Sequence, residues 1–303
     1  MKELAGITYQ EYGKSDVPII CLHGIGGDSD SFKPQLEALR QDFRIISVNL
    51  PGYGGSQRLP ETSFKNLSTK ICDFIQALEV PQAHLCGQSI GGMIALETAF
   101  LKPDFVKSLV LIATTSAFGG KDKTFQDEFI TARLKPLDNG MSIKDLAKKF
   151  IPEIVGPKAT DAIKEQAIVS MSKVPVETYR DIIRCLVTFN RRSDIINLDL
   201  PCCIISGNED MNAPTKTMKK MADQIPNSQY HNISKAGHLN NLEDSKNTNK
   251  ILINFLTKKG DTIVKIQLSD EHRNYKFQLE NKRNIDRKTI NLLRNKEISA
   301  IMS

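Results

Sequence analysis

The sequence predicts an α/β fold: a mostly parallel sheet flanked by helices and interrupted by an inserted helical block. Three observations predict it. Short apolar runs bounded by Gly or Pro alternate with longer stretches whose apolar residues recur three and four apart. The short runs lack polar alternation, as strands buried on both faces do. The alternation stops between about residues 118 and 197, where only helical patterns remain, and then resumes.

Residues 17–24 (VPIICLHG) read as a strand ending at a glycine, and 31–40 (SFKPQLEALR) as a helix. A second strand follows at 44–52 (RIISVNLPG). Residues 64–79 place Leu67, Ile71, Phe74, Ile75 and Leu78 on one helical face. The next strand is 83–89 (AHLCGQS), followed by a helix over 91–103 that Pro103 stops, and by a β-branched run at 106–114 (VKSLVLIAT). In the inserted block, 142–155, 160–171 and 176–189 are candidate helices. The strand rhythm returns at 200–210 (LPCCIISGNED) and 228–234 (SQYHNIS), with helices at 215–225 and 247–259. The expected organisation is a core of 1–116 and 198–260, a helical lid (cap) of 117–197 over the carboxyl edge of the sheet, and an extension of 261–303. In the extension, 262–268 and 275–280 alternate apolar and polar residues, which suggests a hairpin. Residues 285–302 look helical, with Ile290 and Leu293 inward, so the extension reads as a ββα-like tail. Such a small unit needs a partner surface, and a homo-oligomer through this extension is one expectation.

Composition narrows the class. The chain is 40% hydrophobic and 25% charged, which excludes collagen, coiled coil and disordered tail proteins. The net charge is +6, and the extension carries half of the excess, nine basic against six acidic residues. No nucleic-acid motif accompanies that charge, so a solvated surface and no nucleic-acid partner are expected. Six cysteines show no C-x-x-C metal spacing; Cys21, Cys86, Cys202 and Cys203 lie in apolar runs and read as small hydrophobes. The start lacks a secretion signal pattern, and no run reaches the roughly eighteen apolar residues of a membrane span. A cytoplasmic protein of a reducing compartment is the expectation, with no membrane partner.

Gly87-Gln88-Ser89-Ile90-Gly91 lies between a predicted strand and a predicted helix. A sharp turn there lifts the serine hydroxyl off the sheet, and glycines beside it avoid clashes with the neighbouring backbone. A serine needs a base and an orienting acid to become a nucleophile. Asp210 ends the run CCIISGNED, four residues before Pro214, and His238 lies in AGH after the last strand. Ser89, Asp210 and His238 thus all fall just past predicted strand ends. Glu209 competes with Asp210 for the acid. His23, His84, His231 and His272 compete with His238; His23 suits a loop-fixing role, and His84 and His231 sit inside strand-like runs. Met171, Arg191 and Arg192 are weak candidates for substrate binding, the arginines for a substrate carboxylate. No metal site is indicated.

The motifs HGIGG (23–27), LPGYGGS (50–56), GQSIGG (87–92), GNED followed by Pro214, and AGH (236–238) resemble those of the α/β-hydrolase superfamily, in its lid-containing branch. They are similar to 3-oxoadipate enol-lactonases, small carboxylesterases and carrier-protein methyl esterases, over about residues 5–260. The resemblance implies the α/β-hydrolase fold, with a mostly parallel, eight-stranded type of sheet. It also implies an oxyanion hole made by the main-chain N–H groups of Ile25 and Ile90. The family often has Asp where this chain has Asn49, which puts a loop hydrogen bond in question. The implied activity is a serine hydrolase acting on a small-molecule ester, lactone or thioester through an acyl-enzyme, without cofactor. Ser89 argues against the dehalogenases and epoxide hydrolases of this fold, which use Asp. The absence of Trp argues against carbon–carbon bond hydrolases and proline iminopeptidases. A carbon–carbon bond hydrolase, a carrier-protein methyl esterase and a non-catalytic small-molecule receptor or scaffold are the alternatives.

Overall fold

The computed structural model describes residues 1–119, 123–257, 264–267 and 299–302. These fall into two compact units, Met1–Ile253 and Asn254–Ser303.

The first unit is built on an eight-stranded sheet. Its strands are β1 (Lys2–Leu4), β2 (Ile7–Tyr12), β3 (Ile19–Leu22), β4 (Ile45–Val48), β5 (Ala83–Gln88), β6 (Val106–Ile112), β7 (Cys202–Gly207) and β8 (Ser228–Ile233). They lie in the order β1-β2-β4-β3-β5-β6-β7-β8. From β4 to β8 the pairs are parallel, and β2 alone is antiparallel to both neighbours. Every residue of β3, β4 and β7 is buried, which explains runs with no polar alternation.

The helices before the inserted block are α1 (Lys33–Leu39), α2 (Phe64–Ala77) and α3 (Ile90–Leu101). A 3₁₀ turn at Ser29–Phe32 leads into α1, with Asp28 capping it. Ser63 caps α2 by accepting the Asn66 N–H, and α2 buries the predicted stripe of Leu67, Ile71, Phe74 and Ile75. α3 is buried almost all round, against β3, β5 and β6 on one side and α2 on the other.

The inserted block holds α4 (Lys123–Asp138), α5 (Ile143–Ile154), α6 (Asp161–Ser172) and α7 (Val176–Leu186). Ser142 and Thr160 cap α5 and α6. Three of the four match candidate segments. α4 has no apolar stripe to announce it: it buries only Leu134 and Leu137, and Pro136 lies inside it. Leu146, Ile151, Met171 and Tyr179 of this block join the same apolar core as the sheet. α8 (Thr215–Gln224), the short α9 (Asn240–Glu243) and α10 (Ser245–Thr257) complete the series.

Two findings depart from the sequence expectation. β1 and β2 form an N-terminal hairpin that no turn signal marks. Its two-residue turn is Ala5–Gly6, at φ 50° and 72°. A primed turn needs positive φ at both central positions, and Ala is not a residue that advertises it. In the second unit, β9 (Val264–Gln267) pairs antiparallel with β10 (Ser299–Met302). Ser299–Met302, expected as the end of a helix, is therefore a strand; pairing with a distant segment overrides the weak helical preference of so short a stretch. The expected strand at 275–280, the rest of the expected helix and any oligomer contact through it lie outside the described residues. Among the described residues, no helix is long and apolar enough to cross a membrane.

Candidate active site

Ser89 follows the last residue of β5 and precedes the first of α3. Its backbone is at φ 56° and ψ −123°, a strained conformation for a side-chain-bearing residue. Two constraints hold it there. The Ser89 N–H donates to the Ile112 carbonyl at the end of β6 (2.9 Å). The turn also packs backbone against backbone: a Cβ on Gly87 would lie 2.3 Å from the Gly91 carbonyl oxygen, and one on Gly91 would lie 2.1 Å from that of Leu22. The hydroxyl therefore projects from the carboxyl edge of the sheet, at the positive end of a 12-residue helix.

Asp210 lies three residues past β7 and is 2% exposed. Its Oδ1 accepts the N–H groups of Asn212 (2.8 Å) and Ala213 (3.0 Å), and its Oδ2 accepts His238 Nδ1–H (2.8 Å). Burial pushes its carboxyl upward, but the facing imidazole and the two N–H donors outweigh that and hold it below the usual carboxylate range. With Nδ1–H committed to the carboxylate, His238 Nε2 is the acceptor, and it lies 2.9 Å from Ser89 Oγ. The three candidate residues thus form one continuous hydrogen-bonded chain. His238 is itself held through its main chain: its N–H donates to Ile154 O (2.8 Å), and its carbonyl accepts from Gln88 Nε2 (2.8 Å).

The competing residues stand elsewhere. Glu209 is exposed, and its N–H donates to the Ala236 carbonyl (2.9 Å). His84 shares a hydrogen bond with Ser108 (2.7 Å), and His231 lies within β8. His272 is outside the described residues. His23 is fully buried; its Nε2 accepts the Leu50 N–H (3.0 Å), so its Nδ1–H donates to Gly24 O (2.7 Å). Burial pulls its pKa down to about 4, so the ring is neutral. It braces the loop after β3, and the Tyr53 hydroxyl braces it again by donating to Ile25 O (2.9 Å). Among the described residues, no hydrogen bond engages the N–H of Ile25 or of Ile90. Ile90 is the first residue of α3, where the helix offers its N–H no partner. Asn49 makes the bonds in question: its Oδ1 accepts the Ser29 N–H (2.7 Å), and its Nδ2 donates to Thr8 Oγ1 (2.8 Å).

A cavity of about 80 Å³ opens on Ser89 and His238, bounded by Ile25 below and by Phe150, Ile154 and Met171 of the inserted helices. Met171 therefore borders the cavity. Arg191 and Arg192 do not. Arg191 is committed to Glu97 through two bonds (2.8 and 2.7 Å) and to Asp194 (2.8 Å), which use the donors a substrate carboxylate would need. Arg192 is exposed at the surface. A larger depression, about 600 Å³, lies along Lys135, Asn139 and Asp145, and no nucleophile–base pair borders it. Sequence reasoning missed Gln88, Tyr53 and Glu243, the last of which is buried at 6% exposure beside the His238 loop. The first two lie inside motifs that were singled out; nothing in the sequence marks Glu243 as buried.

Comparison with known proteins bears on the fold. The family model described as "alpha/beta hydrolase fold" matches residues 17–245. The chain is 25% identical over 255 residues to a 3-oxoadipate enol-lactonase of Acinetobacter baylyi, covering 82% of this chain and 92% of that protein. It is also 25% identical over 246 residues to the pimeloyl-[acyl-carrier protein] methyl ester esterase of Serratia marcescens, covering 78% and 92%. Among solved structures, a thermophilic esterase from Thermogutta terrifontis superposes with a TM-score of 0.76 at 22% identity, over 82% of this chain and 92% of that one.

Proposed function

The chain belongs to the α/β-hydrolase family, and from that premise we propose that it is a serine hydrolase cleaving carboxylic esters or lactones through an acyl-enzyme. The observation that carries this reading is the unbroken chain from Asp210 through His238 to Ser89 (2.8 and 2.9 Å). Ser89 Oγ attacks the ester carbonyl while His238 Nε2 takes its proton. Asp210 holds the imidazole in the required tautomer and stabilises its cation. The N–H groups of Ile25 and Ile90 receive the negative charge that forms on the carbonyl oxygen. His238 returns the proton to the departing alkoxide, and the alcohol leaves. It then takes a proton from water, which attacks the acyl-enzyme, and gives it back to Ser89 as the acid is released. The helices α4–α7 act as a cap that keeps this site small and dry.

The cavity favours one substrate class. Among the described residues, its wall contains no ionisable side chain besides His238; Phe150, Ile154, Met171, Leu239 and Leu242 make it mostly apolar, with Gln166 and Ser170 as neutral polar groups. With Arg191 held by Glu97, no described residue of the wall offers a cation to a charged acyl tail. The acyl group is therefore small and uncharged. The test is a panel of p-nitrophenyl esters with Ser89→Ala as control. Acetate and butyrate esters should turn over at least about tenfold faster than a hemisuccinate, because burying a carboxylate without a partner is costly. Ser89→Ala should lose about 10⁴-fold or more while folding normally. Undiminished turnover in that variant rejects the serine mechanism; preference for the hemisuccinate rejects the substrate class alone.

A further inference from the structure

Glu243 is a buried carboxylate that the mechanism above does not use. Its Oε2 accepts two main-chain N–H groups from different parts of the chain. One is Gly156 N–H, just past α5 at the base of the cap (2.7 Å); the other is Gly237 N–H, next to the histidine (2.9 Å). Its Oε1 accepts Leu239 N–H on the other side of the histidine (3.0 Å). The two residues flanking His238 are thus held by one carboxylate, and the same carboxylate holds the cap. Other bonds run along this seam. Besides His238 N–H to Ile154 O, Lys158 N–H donates to Lys235 O (3.1 Å), and the Lys158 ammonium pairs with Asp244. The backbones meet closely there: a Cβ on Gly156 would lie 2.7 Å from Gly237 N.

We infer that Glu243 is a positioning residue for His238, which locks the histidine loop to the base of the cap and places a second negative charge near the imidazolium formed in the reaction. A buried carboxylate is expensive to desolvate, and three N–H donors satisfy it. Burial drives its carboxyl above the ordinary value while those donors pull it back, and the histidine charge acts on it as well. The ionisable groups around His238 are Asp210 from the β7 loop and Glu243 from α9; Lys158 and Asp244 beyond them neutralise each other. Ile154 and Leu239, at the two ends of this seam, both border the cavity. An acyl group pressing on the cap therefore presses on the element that aims the base.

This inference rests on the serine mechanism and is tested in the full-length chain with p-nitrophenyl butyrate, comparing the parent, Ser89→Ala, Glu243→Gln and Glu243→Asp. Glu243→Gln should lower kcat by about tenfold or more, with KM changed less than about threefold. It should also move the acid limb of kcat/KM to lower pH, because a negative charge beside the site is removed. Glu243→Asp keeps the charge on a shorter arm; it should lower kcat and leave the acid limb in place. A packing role alone would lower melting temperature without moving the limb. A Gln variant as fast as the parent, or slow with an unmoved limb, overturns the inference. If the Gln variant does not fold, the Asp variant decides: parental kcat, or a slow enzyme whose melting temperature falls with it, overturns the inference, and a slow enzyme with parental KM and parental melting temperature supports it. Turnover that survives Ser89→Ala overturns the serine mechanism and this inference together. Turnover that needs Ser89 and ignores Glu243 overturns this inference alone.

Discussion

The Ser89 side of the site and the His238 side are held by different physics. Ser89 is fixed by steric fit. Its strained backbone sits between Gly87 and Gly91, where any Cβ would enter a neighbouring carbonyl, and the whole turn is contiguous in sequence. His238 is fixed by polar bonds to Asp210, Gln88 and Ile154, all distant in sequence, and, through its neighbours, to the nearby Glu243. Close packing tolerates no added atom but is indifferent to pH. A polar seam tolerates small changes of volume but depends on charge state and on every partner being present. The comparison therefore predicts opposite sensitivities on the two sides.

The largest effect should come from Gly91→Ala. Its Cβ would meet the Leu22 oxygen at 2.1 Å and the His23 oxygen at 2.8 Å, both backbone atoms with little room to move. A loss of more than about 3 kcal/mol is expected, seen as a collapse of melting temperature or of soluble yield. Turnover should fall with it, since Leu22 and His23 lead into the Ile25 loop. A variant with parental melting temperature would break the steric account.

Acid should act next, and it sharpens the comparison by order of onset. The neutral rings of His23 and His84 have folded pKa values near 4, against 6.5 for a free imidazole. Between those values the unfolded chain binds more protons, so stability is full above pH 6.5 and falls as pH drops toward 4. Each ring contributes about 3 kcal/mol across that window. Asp210 has the opposite charge type and a lowered folded value. Its contribution is present above the unfolded carboxylate value and is lost only as pH falls through the folded one. The buried rings of His23 and His84 should thus charge before Asp210 is protonated, while the packed turn at Ser89 has no titrating group of its own. Urea midpoints at pH 7 and 5 check this; equal midpoints would mean that the buried rings charge freely.

The smallest effect should be that of Asn49→Asp. Asn49 is 1% exposed and uses its amide as a donor to Thr8 Oγ1, whose own proton already goes to Gly54 O (2.9 Å). A carboxylate would lose that donor and face lone pairs. We expect about 1–3 kcal/mol of destabilisation in chemical denaturation, with kcat/KM within about twofold of the parent. Unchanged stability would show that the Thr8 hydroxyl turns to meet the new acceptor.

The legible parts of the site were those written in adjacent residues. G-x-S-x-G carries its own steric requirement, so a string of five residues was enough to place Ser89 on a turn. The choice of Asp210 over Glu209 depended on which carboxylate the turn after β7 directs inward, and the N–H groups of Asn212 and Ala213 make that choice. Arg191 looked available because its partner Glu97 lies 94 residues away. β1 and β2 were missed because Ala5 at positive φ leaves no mark in composition. α4 was missed as a distinct element because it buries too little to show a period.

By itself the sequence determined the layered α/β architecture, the order of its parallel strands and helices, and the turn bearing Ser89. These follow from local periodicity and from the volume of glycine, which act between near neighbours. Only the tertiary structure decided that Glu243 is buried, that Arg191 is occupied, and that Gly156, just past α5, and the histidine loop share one carboxylate. The bond from Gly156 to Glu243 spans 87 positions, and hydrogen bonding at that range leaves no pattern in a single chain.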